Sequence, residues 1–181
     1  MPSLIAHRPI VAVAHATERR ASLGEGMFFF MTAVVVIQGG HVIEHIVQLV
    51  QVTLLGVPEQ DALGLLGYLV QFNGTEEWLH LGYNTAYLVA LYVLIVPLWA
   101  FAFFIGASVW LESWHMVEHG VIISNVIANG GCPCPGIGDA ALGVSDAVLH
   151  FFYNAIAYAG AAYAYVLVLR DRGYVFRRRP Q

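Results

Sequence analysis

Residues 28–48 read FFFMTAVVVIQGGHVIEHIVQ. The first half of this stretch is apolar apart from Thr32, which is typical of a helix that crosses a bilayer. The second half places His41, Glu44 and His45 on one side of the same helix, because positions i, i+3 and i+4 share a face. An ionisable side chain at membrane depth is costly unless it is paired, protonated or bound to an ion. The stretch therefore predicts a membrane-spanning helix that contains a polar site.

The composition of the whole chain also indicates a membrane protein. Hydrophobic residues make up 59% of the 181 residues and charged residues only 11%. Four apolar runs are long enough to cross a bilayer. The net charge of −4 leaves no basic patch for nucleic acid. We expect the lipid bilayer as partner, no nucleic acid, and either a homo-oligomer or a larger membrane complex as further possibilities.

All eight basic residues are arginines, and they lie near the two ends of the chain. The positive-inside rule then places both termini in the cytoplasm of a multi-pass plasma-membrane protein. We expect a cytoplasmic tail at 1–21, a first helical hairpin at 22–97, a second at 98–169 and an Arg-rich cytoplasmic tail at 170–181. The first helix is expected to begin at a capping box formed by Ser22 and Glu25. The third is expected from about Leu98, and the fourth from Ser145 and Asp146.

The polar residues of the first half return in the second. His41-x-x-Glu44-His45 is matched by His115-x-x-Glu118-His119, and Glu76-x-x-x-His80-x-x-Tyr83-Asn84 by Asp146-x-x-x-His150-x-x-Tyr153-Asn154. Membrane proteins built from repeats often bind ligands where the repeats meet. The fold class predicted is an all-α integral membrane protein, a four-transmembrane-helix bundle of two repeated hairpins with pseudo-twofold symmetry.

Ten acidic residues and no Lys or Arg occur between positions 21 and 169. Glu44, Glu112 and Glu118 lie inside apolar segments, so histidine, a metal ion or a proton must neutralise them. Imidazole and carboxylate together suit Fe, Cu or Zn. The predicted ligands of one or two such ions are His41, Glu44, His45, His80, His115, Glu118, His119 and His150. Residues predicted to surround the ligands or contact substrate are Gln38, Gln48, Glu112, Asn84, Asn154, Tyr83 and Tyr153.

This pattern predicts a non-haem metal centre at the outer ends of four helices. The favoured function is a metal-dependent membrane oxidoreductase that acts on oxygen or a lipophilic substrate, with its catalytic residues unassigned. Open alternatives are a bis-His haem electron-transfer protein, metal storage, sensing or transport, a non-catalytic assembly subunit, and a purely structural polar network. His-x-x-Glu-His is also a metalloprotease pattern, but no recognisable soluble protease domain surrounds it.

The segment before the fourth helix contains Cys132-Pro-Cys134. Two Cys residues separated by one residue do not match the usual redox or zinc spacing. A soft-metal contact, for instance with Cu(I), and a rigid Pro/Gly-rich lid both remain open for this loop.

Overall fold

The computed structural model describes residues 23–69, 76–129 and 136–174, without the side chains of residues 60, 69, 76 and 77. Six α-helices occur in this part of the chain: α1 (Glu25–Thr53), α2 (Leu66–Leu69), α3 (Glu76–Ile95), α4 (Ala102–Asn129), α5 (Ile137–Leu142) and α6 (Asp146–Asp171). Short 3-10 turns lie at Glu59–Asp61 and Trp99–Phe101.

Four of these helices are long and apolar enough to cross a membrane. The qualifying segments are Glu25–Thr53, Trp78–Ile95, Trp99–Asn129 and Asp146–Asp171. By length and composition they suggest a membrane-spanning protein. The expectation of an all-helical fold with four such helices is confirmed in this respect.

The start of α1 differs from the expectation. The N-cap residue of α1 is Gly24, which has no side chain that could accept a cap hydrogen bond. The predicted capping box, which requires Ser22 at the N-cap, is therefore wrong. Glu25 instead accepts a hydrogen bond from Arg172 Nη1 at 2.9 Å. The guanidinium of Arg172 also lies 4.2 Å from the centre of the Phe28 ring. The end of α6 is therefore bound to the start of α1 by the chain's own arginine.

The starts of α6 and α4 were also predicted, and each is set by residues close to it in the sequence. Ser145 is the N-cap of α6, and its hydroxyl accepts from Val148 N at 3.4 Å. Helix α4 begins at Ala102, later than expected, because the 3-10 turn at Trp99–Phe101 follows Pro97. Proline has no N–H to continue a helix and disfavours the helical conformation of the residue before it.

The two hairpins are not packed alike. Helix α6 packs along both α1 and α4, and α3 packs along α4, whereas α1 and α3 make few contacts with each other. The second hairpin, α4 with α6, is therefore tight, and the first hairpin, α1 with α3, is loose. This difference decides how open each half of the site is.

The bundle interior has an apolar end and a polar end. The apolar end is a cluster that includes Met31, Leu91, Leu94, Ile105 and Ala161. Small residues let α4 and α6 approach closely there, since a Cβ at Gly160 would overlap Ser108 and the Phe104 carbonyl. Large apolar side chains such as Phe103 (81% exposed) cover the outside, while the polar end holds buried His, Gln, Asn and Glu. Lipid would face the apolar exterior.

Candidate metal centre

Six histidines form two groups at the polar end of the bundle. The first histidine group is His41 and His45 from α1 with His80 from α3, and the second is His115 and His119 from α4 with His150 from α6. Within each group the three residues offer one ligand atom each, and these atoms lie within 4.8 Å of one another. Each group could therefore hold one metal ion.

The first histidine group has two nitrogens at the separation expected for a shared ion. His41 Nε2 and His45 Nε2 are 3.1 Å apart, and two ligands about 2.0–2.1 Å from a tetrahedral ion would be roughly 3.3 Å apart. His45 Nδ1 lies 2.8 Å from Gln48 Oε1. Because that oxygen only accepts, Nδ1 donates to it and Nε2 of the neutral ring keeps its lone pair.

The second histidine group is oriented by a carboxylate. His150 Nδ1 lies 2.8 Å from Asp146 Oδ1 and 3.0 Å from the Asp146 carbonyl oxygen. Donation from Nδ1 leaves the lone pair on Nε2, as in the carboxylate–histidine–metal arrangement of many metal sites. Asp139 lies next to this group, in α5 and outside the membrane-spanning segments. Burial is the largest cause, and the nearby charge of Asp146 the next largest cause, of the rise in the pKa of the Asp139 carboxyl group to about 6.

The two groups lie side by side in one layer. The ring centres of His45 and His150 are 6.0 Å apart, as are those of His80 and His119, whose rings are stacked. Neighbouring rings within a group are 4.5–5.7 Å apart. These separations agree with the expected layer of six histidines.

The structure places Glu44 and Glu118 differently from the expectation. Glu44 accepts hydrogen bonds from Leu65 N at 2.9 Å and Leu66 N at 2.8 Å, where α2 begins. Glu118 accepts from Ile137 N and Gly138 N, both at 2.6 Å, where α5 begins. Both carboxylates are thus satisfied by backbone N–H groups at the start of a short loop helix. We therefore remove them from the proposed ligand set.

Glycines make these loop contacts possible. Gly64 has φ +65°, and a Cβ there would overlap the Glu44 carboxylate. A Cβ at Gly138 would lie 2.7 Å from Glu118 Oε1. Sequence reasoning missed these residues, although a glycine follows each glutamate at the same distance along the chain. Each buried glutamate therefore fixes a loop over the histidine layer.

A layer of buried amides and one carboxyl group adjoins the histidines on the side of the apolar cluster. Gln38 Nε2 donates to Asn154 Oδ1 at 3.0 Å, and Asn84 Nδ2 lies 3.0 Å from His119 Nε2. Glu112 is fully buried, and neither of its oxygens has a hydrogen-bond partner among the described residues. Its Oε1 lies 3.7 Å from His115 Nδ1.

Two tyrosines pack beside the histidines. The ring of Tyr83 stacks on His41 at 4.1 Å, and Tyr153 is tilted against His115 at 5.3 Å. The Tyr153 hydroxyl accepts a hydrogen bond from Trp114 Nε1 at 3.0 Å. Both tyrosines therefore contact predicted ligands. Cys132 and Cys134 lie outside the described residues, as does the side chain of Glu76.

Comparison with known proteins identifies no matching family, no similar curated protein and no similar solved structure.

Proposed function

We propose that the protein is an integral plasma-membrane metalloprotein that binds two non-haem transition-metal ions, one in each histidine group. The observation that carries this proposal is the convergence of three imidazole ligand atoms within 4.8 Å in both groups. Three protein ligands with an open fourth position are typical of reactive zinc sites, and imidazole also suits copper and iron. In this proposal the hairpins are repeats, both termini are cytoplasmic, and the ions lie near the outer surface.

The choice of metal depends on which carboxylates are free to bind an ion and which are hydrogen-bonded to the loops. Glu44 and Glu118 accept backbone hydrogen bonds from loops, so the donors that remain in each group are neutral imidazoles. Di-iron sites in helical bundles depend on several glutamate ligands. We therefore place copper and zinc ahead of iron for this centre.

Permeation of the metal is disfavoured by the other end of the bundle. The interior there consists of packed apolar side chains, including Leu91, Leu94 and Ile105, which have no exposed surface. An ion pathway needs polar groups through both leaflets. A bound ion fits this arrangement better than a transported one.

The second part of the proposal is a redox role, which requires copper in the histidine groups because Zn²⁺ has no redox chemistry. The loose packing between α1 and α3, together with the partial exposure of His80, favours access from the bilayer to the first histidine group. A lipophilic two-electron donor of the quinol class and O₂ would be suitable reactants. Two donor molecules would lose four electrons and four protons, and O₂ would be reduced to two waters.

Metal analysis of the full-length protein purified in detergent tests the binding proposal. We expect two equivalents of zinc or copper per chain, with one lost in His45→Ala and one in His119→Ala. Ser124→Ala is the matched control, because Ser124 lies exposed on α4 and its hydroxyl donates to the Gly120 carbonyl oxygen, and it should keep both ions. A folded wild-type chain that takes up no metal would support the structural network instead, and a Soret band would support haem.

Oxygen uptake by the copper-loaded protein in the presence of a short-chain quinol tests the redox role. Uptake that disappears in His45→Ala would support an oxidoreductase. Metal binding without uptake would support a storage, sensing or assembly role.

A further inference from the structure

The two halves of the chain differ at one buried position beside the histidines. Glu112 lies one turn before His115, and the equivalent position before His41 is Gln38. Glu44 has the counterpart Glu118, and Glu76 has the counterpart Asp146. Asp139, on α5 close to Asp146, has no acidic counterpart in the first half. Glu112 is therefore an acidic group that the first half lacks.

The structure gives Glu112 no protein partner that would neutralise its charge. Both of its oxygens are buried without a hydrogen bond from the described residues. The sequence has no Lys or Arg between positions 21 and 169. The ring nitrogen Nδ1 of His115 lies 3.7 Å from Glu112 Oε1. An unpaired carboxylate in this environment is costly unless it is protonated or a cation lies close to it.

The hydrogen bonds around the two positions differ accordingly. Gln38 uses its amide N–H to donate to Asn154 Oδ1. A carboxylate has no N–H to donate, and Asn84, the counterpart of Asn154, instead directs Nδ2 to His119. The first histidine group thus has a neutral, hydrogen-bonded amide beside it, whereas the second has an acid with unused acceptors.

We infer that Glu112 is the counter-charge of the ion in the second histidine group and makes this group the tighter, first-loaded site for a divalent cation. The inference rests on the proposed function. Three neutral imidazoles leave a divalent ion with its full charge, and a carboxylate a few ångströms away stabilises that charge strongly where the dielectric constant is low. The first histidine group, beside neutral Gln38, binds its divalent ion more weakly. A monovalent ion such as Cu(I) gains about half as much from Glu112, because the Coulomb energy scales with charge.

Single-site variants make the comparison measurable. His45→Ala leaves the second group intact, and His119→Ala leaves the first group intact. We expect the Zn²⁺ dissociation constant of His45→Ala to be at least tenfold lower than that of His119→Ala. Glu112→Gln in the His45→Ala background should weaken binding at least tenfold, and Gln38→Glu in the His119→Ala background should tighten it to a similar extent.

Further variants separate charge from structure. Glu112→Asp keeps a carboxylate and should therefore retain most of the Zn²⁺ affinity that Glu112→Gln loses. In Glu112→Gln, the affinity for Cu(I) should change less than the affinity for Zn²⁺. Equal affinities of the two groups, unmoved by either exchange, would overturn the inference while leaving two metal sites. Absence of metal from the wild-type chain would overturn the proposed function as well. If Glu112→Gln does not fold, unchanged affinity in Gln38→Glu is sufficient to reject the inference.

Discussion

The first and second histidine groups contain the same donors in different surroundings. Each has two histidines one turn apart on a long helix and a third on the helix that completes the hairpin. The second group is wholly buried between tightly packed helices, whereas His80 of the first group is partly exposed beside a loose helix pair. The same arrangement of three histidines therefore occurs twice, in surroundings that differ in access and in local charge.

The loops over the two groups provide the largest expected effect. Gly64→Ala would bring a Cβ into the Glu44 carboxylate at a positive φ, and Gly138→Ala would bring one against Glu118, Leu149 and Tyr153. We expect each change to lower the free energy of unfolding by roughly 3 kcal/mol, from overpacking and, at Gly64, backbone strain. Unfolding in detergent micelles measures this effect.

Gly120→Ala is the matched control for the loop glycines. Gly120 lies within α4, and, apart from its own stretch of helix backbone, no atom of the described residues lies within 4 Å of the position its Cβ would take. Alanine is favoured over glycine inside a helix by about 1 kcal/mol, so this variant should be as stable as the wild type or more stable. Equal loss of stability in all three variants would contradict the specific fit of the loops.

The glutamates that receive these loops come next in expected effect. Glu44→Gln and Glu118→Gln each replace a charged acceptor of two backbone N–H groups by an amide with one acceptor oxygen. We expect each to cost about 2 kcal/mol in the free energy of unfolding, since hydrogen bonds to charged groups are the stronger ones. Metal analysis of the same variants should still find both ions, and loss of an ion in either would show that its carboxylate is a ligand after all.

The roles of Glu44 and Glu118 mark where prediction from sequence stopped. Helical spacing was sufficient to predict that His41 and His45 share a face, because this relation is local to a single helix. The partners of Glu44 and Glu118 are N–H groups of loops that return to the helix ends. Such contacts depend on the backbone path of the loop, for which Gly64 and Gly138 were weak indicators in the sequence.

The unequal packing of the hairpins was also beyond the sequence. The repeated pattern favoured two equivalent hairpins, yet α4 and α6 pack tightly while α1 and α3 do not. Close approach of α4 and α6 depends on small residues such as Ala157 and Gly160. Those residues are visible in the sequence, but their partner helix is fixed only by the tertiary arrangement.

The smallest expected effect concerns the groups that orient one histidine in each half. Asp146 holds His150 Nδ1 in the second group, and the neutral amide of Gln48 holds His45 Nδ1 in the first. Loss of such partners typically weakens metal affinity 10–100-fold. For Asp146→Asn we expect roughly tenfold weaker Zn²⁺ binding, at the lower end of that range, because the Asp146 carbonyl oxygen still accepts from Nδ1 at 3.0 Å.

Gln48→Ala should weaken Zn²⁺ binding in the first group less than Asp146→Asn does in the second, because it removes a neutral acceptor rather than a charge. Measuring each change in the corresponding single-site background assigns it to one group. A larger effect from Gln48→Ala would mean that the orientation of the imidazole, and not the charge behind it, determines affinity. The difference between the two groups would then lie in geometry, and the contribution of Glu112 would have to be measured against that of Gln48.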